Sequence, residues 1–152
     1  MTDWKANLAE LGIELPPVTK PVAAYVPAVR TGSLVYTAGQ VPMIDGKPQF
    51  TGKVGAEVSP EQAKAAAQTC ALNALAAVHD LVGLDAVVRI VKVVGFVASA
   101  EGFTGQPQVI NGASELLGAV FGDAGVHARS AVGVSELPLG VPVEVELIAE
   151  VH

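Results

Sequence analysis

The last quarter of the chain constrains the fold most, because its apolar and charged residues alternate with a period of two. Val143, Val145 and Leu147 would share one side of an extended chain, and Glu144, Glu146 and Ile148 would lie on the other. Such alternation is typical of a β-strand with one buried and one polar face. We therefore predict a strand here with two different faces.

A second β-rich run, over residues 130–134, precedes this strand, and a turn rich in Pro and Gly over 138–142 separates the two. Arg129 opens the first run and Glu144 opens the second. Two strands joined by a short turn commonly pair as a hairpin. We predict a hairpin that brings Arg129 and Glu144 to the same part of the sheet.

An arginine beside a glutamate has two interpretations. Arg129 offers a planar fork of donors that matches a carboxylate in bidentate geometry, and it cannot act as a base at neutral pH. A carboxylate such as Glu144 can move protons or hold a water molecule. The alternative is a salt bridge between the two residues at the edge of the sheet, a common surface feature that contributes little energy.

The longest helix is predicted from its capping residues. Ser59 can cap the first turn, Gln62 completes a capping box, and Gly83 is suited to end the helix after Val82. Alanines follow helical spacing along one side, so this helix can approach a sheet closely. Asn73 lies outside that stripe and is expected in solvent.

The remaining elements follow from shorter patterns. Residues 2–15 predict a helical extension docked on the main fold, and residues 42–55 a surface loop. We also predict strands over 22–29, which Pro27 confines to a sheet edge, over 34–37 and over 87–98, and a helix over 108–121. The order β-β-α-β-α-β-β is typical of an α+β sandwich, with the helices on one face of the sheet.

Two stretches resemble a known family. Ala128-Arg129-Ser130-Ala131-Val132, followed by Leu137-Pro138 and the strand over 143–149, resembles the C-terminal signature of the Rid family, the reactive enamine and imine deaminases also called YjgF-like. Tyr36-Thr37-Ala38-Gly39-Gln40-Val41-Pro42 is similar to that family's second motif, a strand that ends in Ser-Gly-Gln. The resemblance spans residues 20–150.

This resemblance implies a fold, an assembly and a reaction. The Rid fold is similar to small trimeric (bacillus-type) chorismate mutase, and its homotrimers carry active sites at the subunit interfaces. The implied reaction is hydrolysis of 2-imino or 2-enamino acids to 2-keto acids and ammonia, without a metal or organic cofactor. Arg129 then matches the residue that binds the substrate carboxylate, and Glu144 the acid associated with the hydrolytic water. Tyr25 matches a tyrosine donated across the interface, Asn111 a nearby asparagine, and Gly39 the motif glycine.

Two residues depart from the family pattern. Ala38 stands where well-studied members have Ser, and Ala131 stands where they have Cys. A hydroxyl that could bond substrate or water is therefore absent, and the substrate-binding residues Ala38 and Ala131 leave a roomier, more apolar pocket. We expect a 2-imino acid bulkier than the smallest one.

Two other functions remain open beside the deaminase. One is a non-catalytic protein that binds small carboxylates, which the lost hydroxyl favours and the presence of Glu144 opposes. The other is an endoribonuclease, an activity attributed to some Rid members. A net charge of −6 and nine scattered basic residues argue against nucleic acid as a partner.

Two further residues are candidates for the site. His127, two residues before Arg129, could approach the pocket, whereas Cys70 fits a small core residue better than a nucleophile.

Composition limits the remaining possibilities. The 152 residues suit a single domain, with residues 1–17 as an N-terminal extension and 20–151 as the Rid-like part. Half of the residues are hydrophobic and 16% are charged, which favours an oligomer. A lone cysteine fits a reducing compartment, and the sequence contains no run resembling a signal peptide or membrane span. We expect a cytoplasmic protein.

Overall fold

A computed structural model describes residues 3–18, 21 and 24–152. Its helices are α1 (Trp4–Glu10), α2 (Pro60–Val82) and α3 (Gln106–Phe121). Its strands are β1 (Ala28–Thr31), β2 (Leu34–Thr37), β3 (Met43–Ile44), β4 (Lys47–Pro48), β5 (Val87–Ala98), β6 (Ala128–Val134) and β7 (Val143–Val151).

Five strands form one mixed sheet in the order β1-β2-β7-β5-β6. β5 pairs with β6 in parallel, while the β1–β2, β2–β7 and β5–β7 pairs are antiparallel. α2 packs on β7, and α3 packs on α2, β5 and β6. The predicted α+β class, with helices packed on a mixed sheet, is therefore confirmed.

The predicted hairpin between the last two strands is wrong, because β5 lies between β6 and β7. β5, α3 and β6 form a crossover unit, in which the helix returns the chain so that β6 can pair with β5 in parallel. β7 then pairs with the other edge of β5. The turn over 138–142 therefore carries the chain across β5.

The long helix begins and ends where its capping residues predict. The Ser59 hydroxyl accepts a hydrogen bond from the Gln62 N–H at 3.1 Å, and the Gln62 side chain accepts one from the Ser59 N–H at 3.0 Å. Gly83 ends the helix with a positive φ of 80°. Asn73, predicted in solvent, is instead buried. Its side-chain amide donates to the carbonyls of Val41 and Met43, and these bonds satisfy the buried group and hold the chain after β2.

The N-terminal helix is docked on the main fold, as predicted. Trp4 and Leu8 are buried. The Trp4 indole N–H donates to the Asp85 carboxylate at 2.7 Å, and the Asn7 amide donates to the Val120 carbonyl at 2.8 Å. Among the described residues, no helix combines the length and apolar character needed to cross a membrane.

Two predictions before α2 need correction. The strand predicted over 22–29 begins only at Ala28, and Tyr25 lies in a bend before it; Val22 and Ala23 lie outside the described residues. β1 is an edge strand, as Pro27 predicted. The loop predicted over 42–55 contains the small β3–β4 hairpin. Asp45 and Gly46, at φ 51° and 79°, form its turn, and the pair is a typical signal for a tight hairpin.

The sheet has a helix-covered face and an open face. Val143, Val145 and Leu147 are buried on the covered face. The register places Val29, Tyr36, Ile148 and Lys92 in one row across the other face, and Glu144, Phe96 and Val132 in a second row. Val29, Tyr36 and Val132 are between 40% and 51% exposed. The open face is therefore largely apolar, with Glu144 and Glu146 along its central strand.

Candidate functional site

Arg129 projects from edge strand β6 towards α3. It pairs with the fully buried Val93 of β5, so its side chain leaves the sheet on the helix-covered face. Its Nη1 donates to the Asn111 Oδ1 at 2.8 Å and to the Ser114 Oγ at 3.3 Å, while Nη2 donates to the Pro107 carbonyl at 3.3 Å. We call Arg129, Asn111, Ser114 and His127 the arginine cluster.

The hydrogen bonds of Arg129 leave two donors of the guanidinium available. An arginine has five N–H donors, of which these bonds use both on Nη1 and one on Nη2. Within the described part of the chain, no group accepts from Nε, and no carboxylate forms an ion pair with Arg129. One donor on Nε and one on Nη2 therefore remain without a partner in the described part of the chain, and donors on these two nitrogens are the kind that bind a carboxylate.

His127 extends the cluster behind Ser114. Its Nε2 lies 2.9 Å from the Ser114 Oγ, and its Nδ1 lies 2.7 Å from the Gly125 carbonyl oxygen. The structure thus connects His127 to Arg129 through Ser114. Sequence reasoning missed Ser114, although its spacing of three residues from Asn111 places both on one side of α3. Ala131 lies two residues beyond Arg129, on the same face of β6.

A second group of residues is centred on Gly39, which lies beside Glu144 on one side and lines a cleft with Tyr25 and Gln40 on the other. The Glu144 carboxylate lies against Gly39, where an added Cβ would collide with Oε2. The Gln40 and Val145 backbones exchange two hydrogen bonds of 2.8 and 2.9 Å, which fix Gly39 beside β7. We call Glu144, Gly39, Gln40 and Tyr25 the glutamate cluster.

A cleft of about 80 Å³ opens beside Gly39. Tyr25, 57% exposed, forms one wall. The lining residues are Pro21, Tyr25, Pro27, Gly39, Gln40, Val41 and Met43. Ala38, half-buried, is held in the same segment because its N–H donates to the Pro27 carbonyl at 2.8 Å.

The environment of Glu144 alters its titration. Burial, and in second place the charge of Glu146, raises the pKa of Glu144 above its ordinary value. A raised pKa brings a carboxyl group closer to exchanging protons at neutral pH. Behind the sheet, burial raises the pKa of the Cys70 thiol well above its ordinary value, with Glu144 adding to the effect. Cys70 is thus an inert core residue, as expected from its place on α2.

The two clusters do not meet within one chain. Arg129 pairs with Val93 and Glu144 pairs with Phe96, three residues further along β5 and on its other side. Three residues of strand span about 10 Å, and an odd separation puts the side chains on opposite faces. The salt bridge between Arg129 and Glu144, which the sequence left open, is therefore not formed.

A family model matches most of the sequence. The model described as Endoribonuclease L-PSP matches residues 17–151. The chain belongs to the endoribonuclease L-PSP family. The resemblance to the Rid or YjgF-like family is thereby confirmed, since the L-PSP model represents that superfamily. A curated relative, protein TCP17 of Trypanosoma cruzi, is 43% identical over 149 residues, which cover 97% of this chain and 93% of the relative.

Solved structures share the family fold. A protein of unknown function from Agrobacterium tumefaciens is 43% identical, with a TM-score of 0.92 over 98% of this chain and 92% of its own. The YjgF gene product of E. coli is 27% identical, with a TM-score of 0.63 over 88% and 92%. E. coli TdcF, solved with bound serine, has the same fold at 22% identity and a TM-score of 0.65 over 89% and 94%.

Proposed function

We propose that this L-PSP family protein hydrolyses 2-imino or 2-enamino acids to 2-keto acids and ammonia, with Arg129 as the carboxylate clamp. The observation that carries the proposal is that one donor on Nε and one on Nη2 of Arg129 have no partner among the described residues. Asn111, Ser114 and Pro107 hold the guanidinium, and no described carboxylate neutralises it. A half-buried cation with two free donors favours a ligand that brings its own carboxylate.

Glu144 would supply the proton transfers. The C=N carbon of an imine is already electrophilic, so water can add to it once a base accepts a proton from that water. Glu144, with its raised pKa, would take this proton and return it to the nitrogen. The tetrahedral intermediate would then lose ammonia, which leaves the 2-keto acid. The roles of Arg129 and Glu144 divide binding from proton transfer.

We infer that the site is completed between two copies of the chain in a homotrimer. Arg129 and Glu144 are too far apart, and on opposite faces of the sheet, for one small substrate to touch both within a chain. Arg129 lies on an edge strand, which a neighbouring copy can approach. The apolar open face, with Tyr36 and Val132 exposed, would bury surface in such an assembly. Tyr25 and Gly39 would then line the site from the Glu144 side.

The substrate is a small carboxylate. The serine bound to TdcF is one molecule of this chemical class. Ala38 and Ala131 contribute only methyl groups, so we expect the site to accept side chains larger than that of the smallest 2-imino acid. Imines generated in place by an amino acid oxidase from alanine, leucine and phenylalanine would test this range. A strict preference for the alanine-derived imine would contradict it.

The direct test is ammonia release from such imines by the purified protein. We expect the wild type to release ammonia faster than the spontaneous hydrolysis does. This acceleration should be lost in Arg129→Ala. Ser33→Ala is a matched control, because Ser33 is an exposed turn residue at the opposite edge of the sheet. Saturable binding of a 2-keto acid with no ammonia release would instead indicate the non-catalytic carboxylate binder, which the missing hydroxyl at Ala38 favours. Cleavage of RNA that is lost in Arg129→Ala would indicate the endoribonuclease of the family name.

A further inference from the structure

The hydrogen bonds behind Arg129 have a defined direction. The Gly125 carbonyl can only accept, so the Nδ1 of His127 must carry the proton that joins them. In the neutral imidazole, Nε2 is then an acceptor, and the Ser114 hydroxyl donates to it. The Ser114 oxygen consequently turns a lone pair towards the Arg129 Nη1. From the Arg129 Nη1 through Ser114 and His127 to the Gly125 carbonyl, each donor therefore meets an acceptor.

We propose that Ser114 and His127 are positioning residues that orient the Arg129 guanidinium for a carboxylate ligand, an inference that rests on the proposed function. Without His127, the Ser114 hydroxyl could rotate its hydrogen towards the guanidinium and repel it. With His127 in place, Ser114 is held as an acceptor. Together with Asn111, it accepts from Nη1, so the plane of the guanidinium is fixed while Nε has no partner in the described part of the chain.

The relay acts on binding rather than on proton transfer. The carboxylate is gripped equally in the bound substrate and in the transition state, so loosening the grip weakens both states alike. Such uniform losses raise KM and leave kcat unchanged. Ser114 and His127 form a single chain, so removing either should have the same effect as removing both.

The first experiment measures the affinity for 2-oxobutanoate by calorimetry, and the KM and kcat for the matching imine. We expect Ser114→Ala and His127→Phe each to weaken binding and raise KM about tenfold, the scale of one hydrogen bond to a charged group. The double variant should show no further loss, and Ser114→Thr, which keeps the hydroxyl, should restore binding. Ser33→Ala serves as the control. Wild-type affinity in Ser114→Ala, or losses that add in the double variant, would overturn the relay.

A second readout needs no ligand. The chain has three arginines, Arg30, Arg89 and Arg129, so the Nε–H signal of Arg129 in a ¹⁵N spectrum can be assigned by substitution. We expect an ordered Arg129 signal that becomes mobile in both Ser114→Ala and His127→Phe. An equally ordered signal in these variants would refute the relay even if the wild type binds 2-oxobutanoate. If the wild type binds none while the signal responds as expected, the relay stands and the proposed function falls.

Discussion

The arginine cluster and the glutamate cluster differ in how completely each is hydrogen-bonded. Arg129 makes three hydrogen bonds to α3, and the relay through Ser114 and His127 supports one of them. Glu144 lies on the open face beside Gly39, and no described residue donates a hydrogen bond to its carboxylate. The guanidinium is therefore held by its neighbours, whereas the carboxylate is partly desolvated and accepts no hydrogen bond from the residues that the structure describes.

This difference fits the proposed roles, in which Arg129 binds the substrate and Glu144 transfers protons. An oriented cation binds and aligns an anion, and three fixed contacts lower the entropy lost when the ligand arrives. A partly desolvated carboxylate with a raised pKa is suited to exchanging protons. The arginine cluster has no carboxylate with a raised pKa, and the glutamate cluster has no oriented cation. Substitutions in the two clusters should therefore produce different kinetic effects, and the following predictions use that contrast.

The largest effect is expected at Arg129. Arg129→Ala should weaken 2-oxobutanoate binding at least about a hundredfold, because it removes the charge and both free donors. Arg129→Lys keeps the charge but not the fork, so it should recover only part of the loss. Calorimetry measures both affinities, and circular dichroism checks the fold. Equal affinities in the wild type and Arg129→Lys would show that the two-pronged contact is not used.

The second largest effect is expected at Glu144. Glu144→Gln should lower kcat for imine hydrolysis about a hundredfold, the lower range for loss of a general acid or base. Binding of 2-oxobutanoate should change little, because the carboxylate clamp is intact. Steady-state kinetics and calorimetry on the same protein provide both numbers. If Glu144→Gln had a normal kcat and weakened 2-oxobutanoate binding, Glu144 would act in binding and not in proton transfer.

A smaller effect is expected at Gly39. The Cβ of Gly39→Ala would collide with the Glu144 Oε2, so the carboxylate must rotate away. Because the end of a glutamate side chain is flexible, we expect a loss in kcat of about tenfold, with normal 2-oxobutanoate binding. Gly118→Ala is the matched control, since nothing lies within 4 Å of a Cβ there. Equal kinetics in the two variants would remove Gly39 from the site.

The smallest effect concerns stability against pH. The folded chain binds the Glu144 proton at higher pH than the unfolded chain, because the pKa of Glu144 is raised on folding. Its stabilising contribution is present at acid pH and is lost as the pH rises through the raised pKa. The Tm of the wild type relative to Glu144→Gln should therefore fall from acid to neutral pH. If the Tm of the wild type instead rose relative to that of Glu144→Gln as the pH increased, the ionised carboxylate would have a stabilising partner.

Local patterns predicted most of the fold. The capping box at Ser59, the glycine after Val82 and the Val- and Ile-rich run over 87–98, which also contains Arg89 and Lys92, depend on neighbours in sequence, and the structure has the helix and the strand that they predict. The pairing of β6 and β7 was not predicted correctly, because strand neighbours depend on the crossover through α3. Asn73 was misplaced for a similar reason, since its partners Val41 and Met43 are remote in sequence.

The candidate site could be predicted only as single residues. Arg129 and Asn111 were identified through the family resemblance, and their contact is 2.8 Å. The separation of Arg129 from Glu144 depends on sheet order and register, which alternation alone does not specify. Ser114 had no signal of its own, since a serine in a helix is usually a surface residue. The proposed role of Ser114 requires His127, and the two side chains meet only because the chain after α3 folds back beside that helix.

The most direct test of the central claim, that two copies of the chain share each site, is a mixture of two impaired variants, assayed at a substrate concentration below the wild-type KM. Arg129→Ala and Glu144→Gln are unfolded together in equal amounts, refolded and assayed for imine hydrolysis. If Arg129 and Glu144 come from neighbouring copies, about a quarter of the interfaces combine both intact residues, so about a quarter of the wild-type activity should return. No recovery in mixed assemblies, when each variant refolds normally by itself, would contradict the account.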